Sequence, residues 1–178
     1  MTEKAKAPFL KPALIYGAIV GFVSILFGVI FYIMDLSLKG WSNWVTILLT
    51  WIVLIYCLLA YRKEYLGGFA SYGQILFMAV MISVVAVLLN TVYTYVLHGM
   101  IDNELLDKMR LVQEEKLLSN PRVPENMHDT LIARLEKSFT LKKILINGAI
   151  GGLVLNTIVG LIAAAFIKKD EAPANSAV

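Results

Sequence analysis

The sequence predicts an all-α integral membrane protein: four transmembrane helices with a helical-hairpin insertion between the third and the fourth. Three observations carry this. The 178 residues are 58% hydrophobic and 16% charged, with a mean hydropathy of +0.72, well away from the balance of a soluble domain. Four apolar runs recur, each near the roughly 20 residues a helix needs to cross hydrocarbon. One long polar interval, 98–143, separates the last two runs, and in it eight Lys or Arg stand against eight Asp or Glu.

Residues 1–12 form a basic N-terminal segment, with Lys4, Lys6 and Lys11 against Glu3, and Pro8 and Pro12 at the entry to the first span. That span covers about 13–34. Its 22 residues reach roughly 33 Å at helical rise. The run is too long for a signal-peptide core, and no small-residue cleavage site follows at Met34-Asp35, so a retained helix is expected. Gly17, Gly21, Ser24 and Gly28 share one face of it, which reads as a seam for close helix packing.

A short loop brings Trp41 and Trp44 to the bilayer interface, where tryptophan is favoured. The second span, about 45–61, ends on Tyr61-Arg62-Lys63. Tyr56, Tyr61, Tyr65 and Tyr72 around the next loop read as an aromatic anchoring belt. In that loop Gly67-Gly68 supplies the positive φ of a tight turn. It lacks the glycine spacing and the lysine-hydroxyl pair of a phosphate-binding loop.

The third span, about 73–97, is long enough to tilt. It carries Ala79, Ser83, Ala86, Asn90 and Thr94 on one face. Asn90 in hydrocarbon needs a partner, and an interhelical hydrogen bond is the least costly one. The interval 98–143 divides at Asn120-Pro121 into two amphipathic halves, 102–118 and 125–138. Asp102 is expected to cap the first, with Glu104 and Lys108 as an i,i+4 pair. Ser138 and Thr140 are positioned to cap a fresh helix start, so a bend is expected there. The fourth span, about 144–167, repeats small residues every four positions: Gly148, Gly152, Asn156, Gly160 and Ala164. Lys168 and Lys169 close it, and the tail to residue 178 has a disordered composition.

The connection RKEYLGGFASYGQ, the four-span plan, the interval opening IDNELLDKM and the ending FIKK together resemble the DUF4199 family. The chain departs from the family's habit at Asn103, where proline often follows the aspartate. The resemblance implies a four-helix protein of the bacterial inner membrane and supplies no activity or site residues.

Basic residues orient the chain. The N-terminal segment, second loop and tail hold seven in 34 residues, against nine in 56 on the other side. The lysines before the first helix outweigh Lys39 after it, so both termini are expected in the cytoplasm. A net charge of +3 without a basic stripe argues against nucleic-acid binding. Cys57 is the sole cysteine, and His98 and His128 lie apart without metal-ligand spacing. No nucleophile constellation is visible either. No catalytic residue, cofactor or metal is therefore expected.

Two functions are compatible with this. The preferred one is a non-enzymatic structural or accessory subunit, with the lipid bilayer and either further copies of the chain or a larger membrane complex as partners. The alternative is a small transporter, channel or lipid-handling protein using a polar seam of Asn90, Asn147 and Asn156. The bundle interior separates them: a dry seam favours the first, and a polar cavity reaching mid-membrane favours the second.

Overall fold

A computed structural model describes residues 9–169 and is helical throughout its elements. The order is α1 (Leu10–Ile33), α2 (Gly40–Tyr65), α3 (Tyr72–Val96), α4 (Leu105–Leu118), α5 (His128–Ser138) and α6 (Leu141–Ile167). A π-helical turn, Leu97–Ile101, prolongs α3, and a 3-10 turn, Glu125–Met127, precedes α5. Among the described residues there is no strand. The helices α1, α2, α3 with its π-turn, and α6 are each long and apolar enough to cross a membrane. The chain is a multi-pass membrane protein.

The helix α3 is the axis of the bundle, packing most extensively on α6 and then on α1. The helix α2 leans on α1 and makes thinner contacts with α3 and α6. Large apolar side chains cover the outward faces, among them Phe22, Ile52, Leu88, Val154 and Phe166. In water such a surface would be an aggregation hazard; in a bilayer it is solvated by acyl chains.

Local chemistry explains the ends of the helices. In α1, Pro12 lies in the first turn, where its missing N–H and fixed φ cost little. At the other end the N–H of Leu36 donates to the Phe31 carbonyl over 2.8 Å, and that of Asp35 to Tyr32 over 3.1 Å. These two bonds make a Schellman stop, with Asp35 in the left-handed position at φ 54°. The helix α2 runs past the apolar window of 45–61 at both ends. Apolarity ends where the chain leaves hydrocarbon, but the hydrogen-bond ladder continues through Arg62, Lys63 and Glu64. It stops at Gly67 and Gly68, whose φ values are 61° and 91°. The helix α3 starts in a capping box: the Ser71 hydroxyl accepts from the Gln74 N–H, and the Gln74 side chain accepts from the Ser71 N–H.

The polar interval folds as α4 and α5, which touch each other through the Arg110–Glu136 ion pair at 3.1 Å. Their contacts with the spanning helices are sparse. The chain breaks again at Phe139 (ψ 48°) and Thr140 (ψ 143°) before α6 begins. Neither side chain expected to cap α6 does so: Thr140 makes no capping bond, and the Ser138 hydroxyl donates back to Arg134. Nor does Asp102 cap α4. It accepts from the Tyr32 hydroxyl at 3.2 Å and lies 3.9 Å from Lys108, tying this junction to the end of α1. Lys108 also pairs with Glu104 at 3.6 Å.

Of the terminal segments, 1–8 and 170–178 lie outside the described residues. Lys169, within the 168–178 segment read as a disordered tail, instead exchanges two backbone hydrogen bonds with Ala70, each 2.9 Å, in an antiparallel bridge. Its ammonium also sits 5.4 Å from the centre of the Phe69 ring.

Candidate functional site

The core occupies one half of the bundle. Its buried residues include Ala13, Tyr16 and Val20 of α1, Leu54, Cys57, Leu58 and Tyr61 of α2, Ile75, Met78, Ala79, Ile82 and Ala86 of α3, and Ala163, Ala164 and Ile167 of α6. All lie toward the end where the α2–α3 turn meets Lys169. The tyrosines of the expected anchoring belt divide here. Tyr56 faces outward, but Tyr61 is fully buried, stacks on Tyr65 with centroids 5.8 Å apart, and Tyr65 meets Tyr16 edge-on at 6.3 Å. An inward-facing position on α2, next to Leu58, turns Tyr61 from an anchor into core.

Small residues set the closest crossings in and near this half. A Cβ on Gly17 would fall 2.5 Å from Val85 Cβ, and one on Gly160 2.6 Å from Ala79 Cβ. Gly21 faces Leu89 and Ala86 at 2.9 and 3.3 Å, and Gly28 faces the Tyr93 ring at 3.2 Å. Gly152 faces Val87 alone, at 3.3 Å, while Gly148 has no atom within 4 Å of where its Cβ would stand. The stripe on α6 thus starts in open space and tightens toward the C-terminal end.

The open half holds a cavity of about 500 Å³ lined by α1, α2, α3 and α6. Along α6 it runs from Ile144 to Asn156, and the latter is 15 residues from the helix start at Leu141, about 22 Å along the axis. The cavity therefore reaches the middle of α6. Gly148 and Gly152 lie on its wall, together with Asn147, Asn90 and Ser24.

The polar groups of this wall divide by what they have left to offer. Ser24 donates to Asn90 Oδ1 at 3.0 Å, and Asn90 Nδ2 donates to the Ala86 carbonyl at 2.9 Å, so this pair bonds α1 to α3. Four threonines, Thr46 and Thr50 on α2 and Thr91 and Thr94 on α3, donate their hydroxyl hydrogens to carbonyls one turn back, at 2.8 to 3.1 Å. Their oxygens keep lone pairs free as acceptors. Asn156 is 8% exposed, and among the described residues its amide has no hydrogen-bond partner. The buried Tyr93 hydroxyl, also at the wall, has none either. Among the described residues no Asp, Glu, Lys, Arg or His lines the cavity.

Asn147 and Asn156 of the expected polar seam share the cavity with Asn90, whose amide is largely spent on packing. The threonines of α2 were overlooked by sequence reasoning. The signal was present: Ser42, Thr46 and Thr50 recur every four residues in an otherwise apolar helix, placing hydroxyls on one face. Away from the cavity, His128 Nε2 lies 3.3 Å from the Val123 carbonyl. Among the described residues no three His, Cys, Asp or Glu side chains are grouped to hold a metal ion.

A bundle sealed in one half and opened by an uncharged polar recess in the other defines a multi-pass membrane protein with an internal pocket. The chain belongs to the DUF4199 family, whose model, described as a protein of unknown function, matches residues 15–169. No curated protein and no solved structure matches it.

Proposed function

We propose that the protein is a non-enzymatic component of the bacterial inner membrane that holds an amphiphilic molecule in the recess between α2 and α6. The recess carries this reading. Its volume, about 500 Å³, falls within the range of small-molecule sites. Its polar wall, reaching the middle of α6, favours the lipid-handling class over a closed structural bundle. The basic N-terminal segment supports cytoplasmic termini, and α4 and α5 then form an antiparallel hairpin on the opposite side, beside the mouth of the recess. The test is to fill it. Gly148→Phe starts a side chain at a wall position of the recess where a Cβ has no atom within 4 Å, so it should leave melting intact while removing amphiphiles that co-purify with the wild-type chain. An unchanged set of co-purifying molecules would refute the reading.

A role as an accessory subunit is supported by a different feature. Leu111, Leu118 and Met127 expose apolar surface on the polar interval, outside the four helices long and apolar enough to cross a membrane. They would seat a partner subunit or a second copy. Replacing 103–138 by a short linker should strip such a partner from complexes isolated in mild detergent; an unaltered complex would dismiss this role.

A further inference from the structure

We infer that the recess selects an amphiphile whose head group is uncharged and bears a free hydroxyl, as the glycerol of a diacylglycerol does. This rests on the amphiphile reading above. The first argument is charge: among the described residues no Asp, Glu, Lys, Arg or His side chain lines the cavity, so a phosphate or ammonium head would be buried at membrane depth without a counter-charge, which is strongly unfavourable. The second is hydrogen-bond polarity. The hydroxyls of Thr46, Thr50, Thr91 and Thr94 have spent their hydrogens on backbone carbonyls and present acceptors. Asn156, more than nine-tenths buried and unpartnered among the described residues, offers both donors and an acceptor. A hydroxyl complements both, because it donates to the threonine oxygens and accepts from the asparagine amide. A phosphate has only lone pairs to set against the threonines, and an ammonium cannot accept. The acyl part follows the apolar side chains at the same wall, Ile47, Trp51 and Leu155.

The discriminating pair is dioleoylglycerol and dioleoylphosphatidic acid, which share their tails and differ by one anionic phosphate. Binding to the full chain in neutral detergent is measured by native mass spectrometry, with thermal unfolding as the folding control. Dioleoylglycerol should bind at least about tenfold tighter than the acid, and Asn156→Leu and the isosteric Thr50→Val should each weaken it about tenfold, the scale of one lost hydrogen bond to a buried polar group. Should Asn156→Leu fail to fold, Thr50→Val decides alone. If the acid binds as well as the glycerol, and Gly148→Phe abolishes both, the head-group assignment is wrong while the amphiphile reading survives. If neither lipid responds to Gly148→Phe, both fail. Stabilisation by sodium or potassium chloride with no response to either lipid would mean that the oxygens serve a cation, and would also overturn the assignment.

Discussion

The guanidinium of Arg62 on α2 donates from Nη1 to the carbonyl of Ile167, the last residue of α6, over 2.7 Å. A helix end leaves carbonyls without intrahelical donors, and a cation there also suits the helix dipole. The bond links residues far apart in sequence, at the end where the buried core lies.

Arg62→Met should therefore lower the thermal stability of the detergent-solubilised chain by about 1.5–3 kcal/mol, the usual range for a hydrogen bond to a charged group. Arg62→Lys, with its charge kept but its fork lost, should fall between the two. Melting in detergent of the three proteins checks the order.

Glycine substitutions should rank by what stands opposite them. Gly17→Leu and Gly160→Leu force atoms into Val85 and Ala79 across gaps of 2.5 and 2.6 Å and should cost about 3 kcal/mol or more. Gly152→Leu meets one flexible methyl of Val87 at 3.3 Å and should cost about 1 kcal/mol. Gly148→Leu and Gly40→Leu, with nothing within 4 Å, should leave melting and elution volume unchanged. A large loss at Gly148 would mean that another copy fills the recess.

The Ser24–Asn90 bond should appear as a coupling in a double-mutant cycle of Ser24→Ala and Asn90→Leu. About 0.6 kcal/mol is the expected size for a side-chain bond between membrane helices, with an upper bound near 1.7. Additive melting shifts would show that the two residues do not act together.

Topology is open to labelling in a Cys57→Ala background. A cysteine at Ala172 should react only after the membrane is permeabilised, and one at Glu115 in intact cells. Labelling of both from the same side would contradict four crossings. Reversed accessibility would overturn the orientation alone.

What was legible in the sequence was local or set by the bilayer. The four spans follow from apolar length and the Gly67–Gly68 turn from the need for positive φ; the break before α6 falls where Ser138 and Thr140 suggest it, although neither side chain forms the expected cap. Helix limits were less legible, because hydropathy registers where hydrocarbon ends and not where backbone bonding ends, as α2 shows. Asp102 was misread since a capping motif is a local proposal, and the Tyr32 hydroxyl that engages it lies 70 residues away. The recess was legible only as a list of polar residues. Whether Asn147 and Asn156 meet a dry partner or open space depends on how far α2 departs from α6, a long-range property that no spacing encodes.

The position of α3 between α1 and α6 has a consequence for biosynthesis. Ribosomes deliver α1, α2 and α3 first, so the Ser24–Asn90 bond and the Gly17 crossing can form while Ala79 still lacks Gly160 beside it. The whole interval from Leu97 to Thr140 must then be handled before α6 arrives. Until that moment one flank of α3 has only lipid or the insertion machinery for company. The nascent three-helix intermediate is therefore the species most exposed to mispairing and to quality-control proteolysis, and docking of α6 along Ala79, followed by the Arg62 and Ala70 clasps, is the step that ends that exposure.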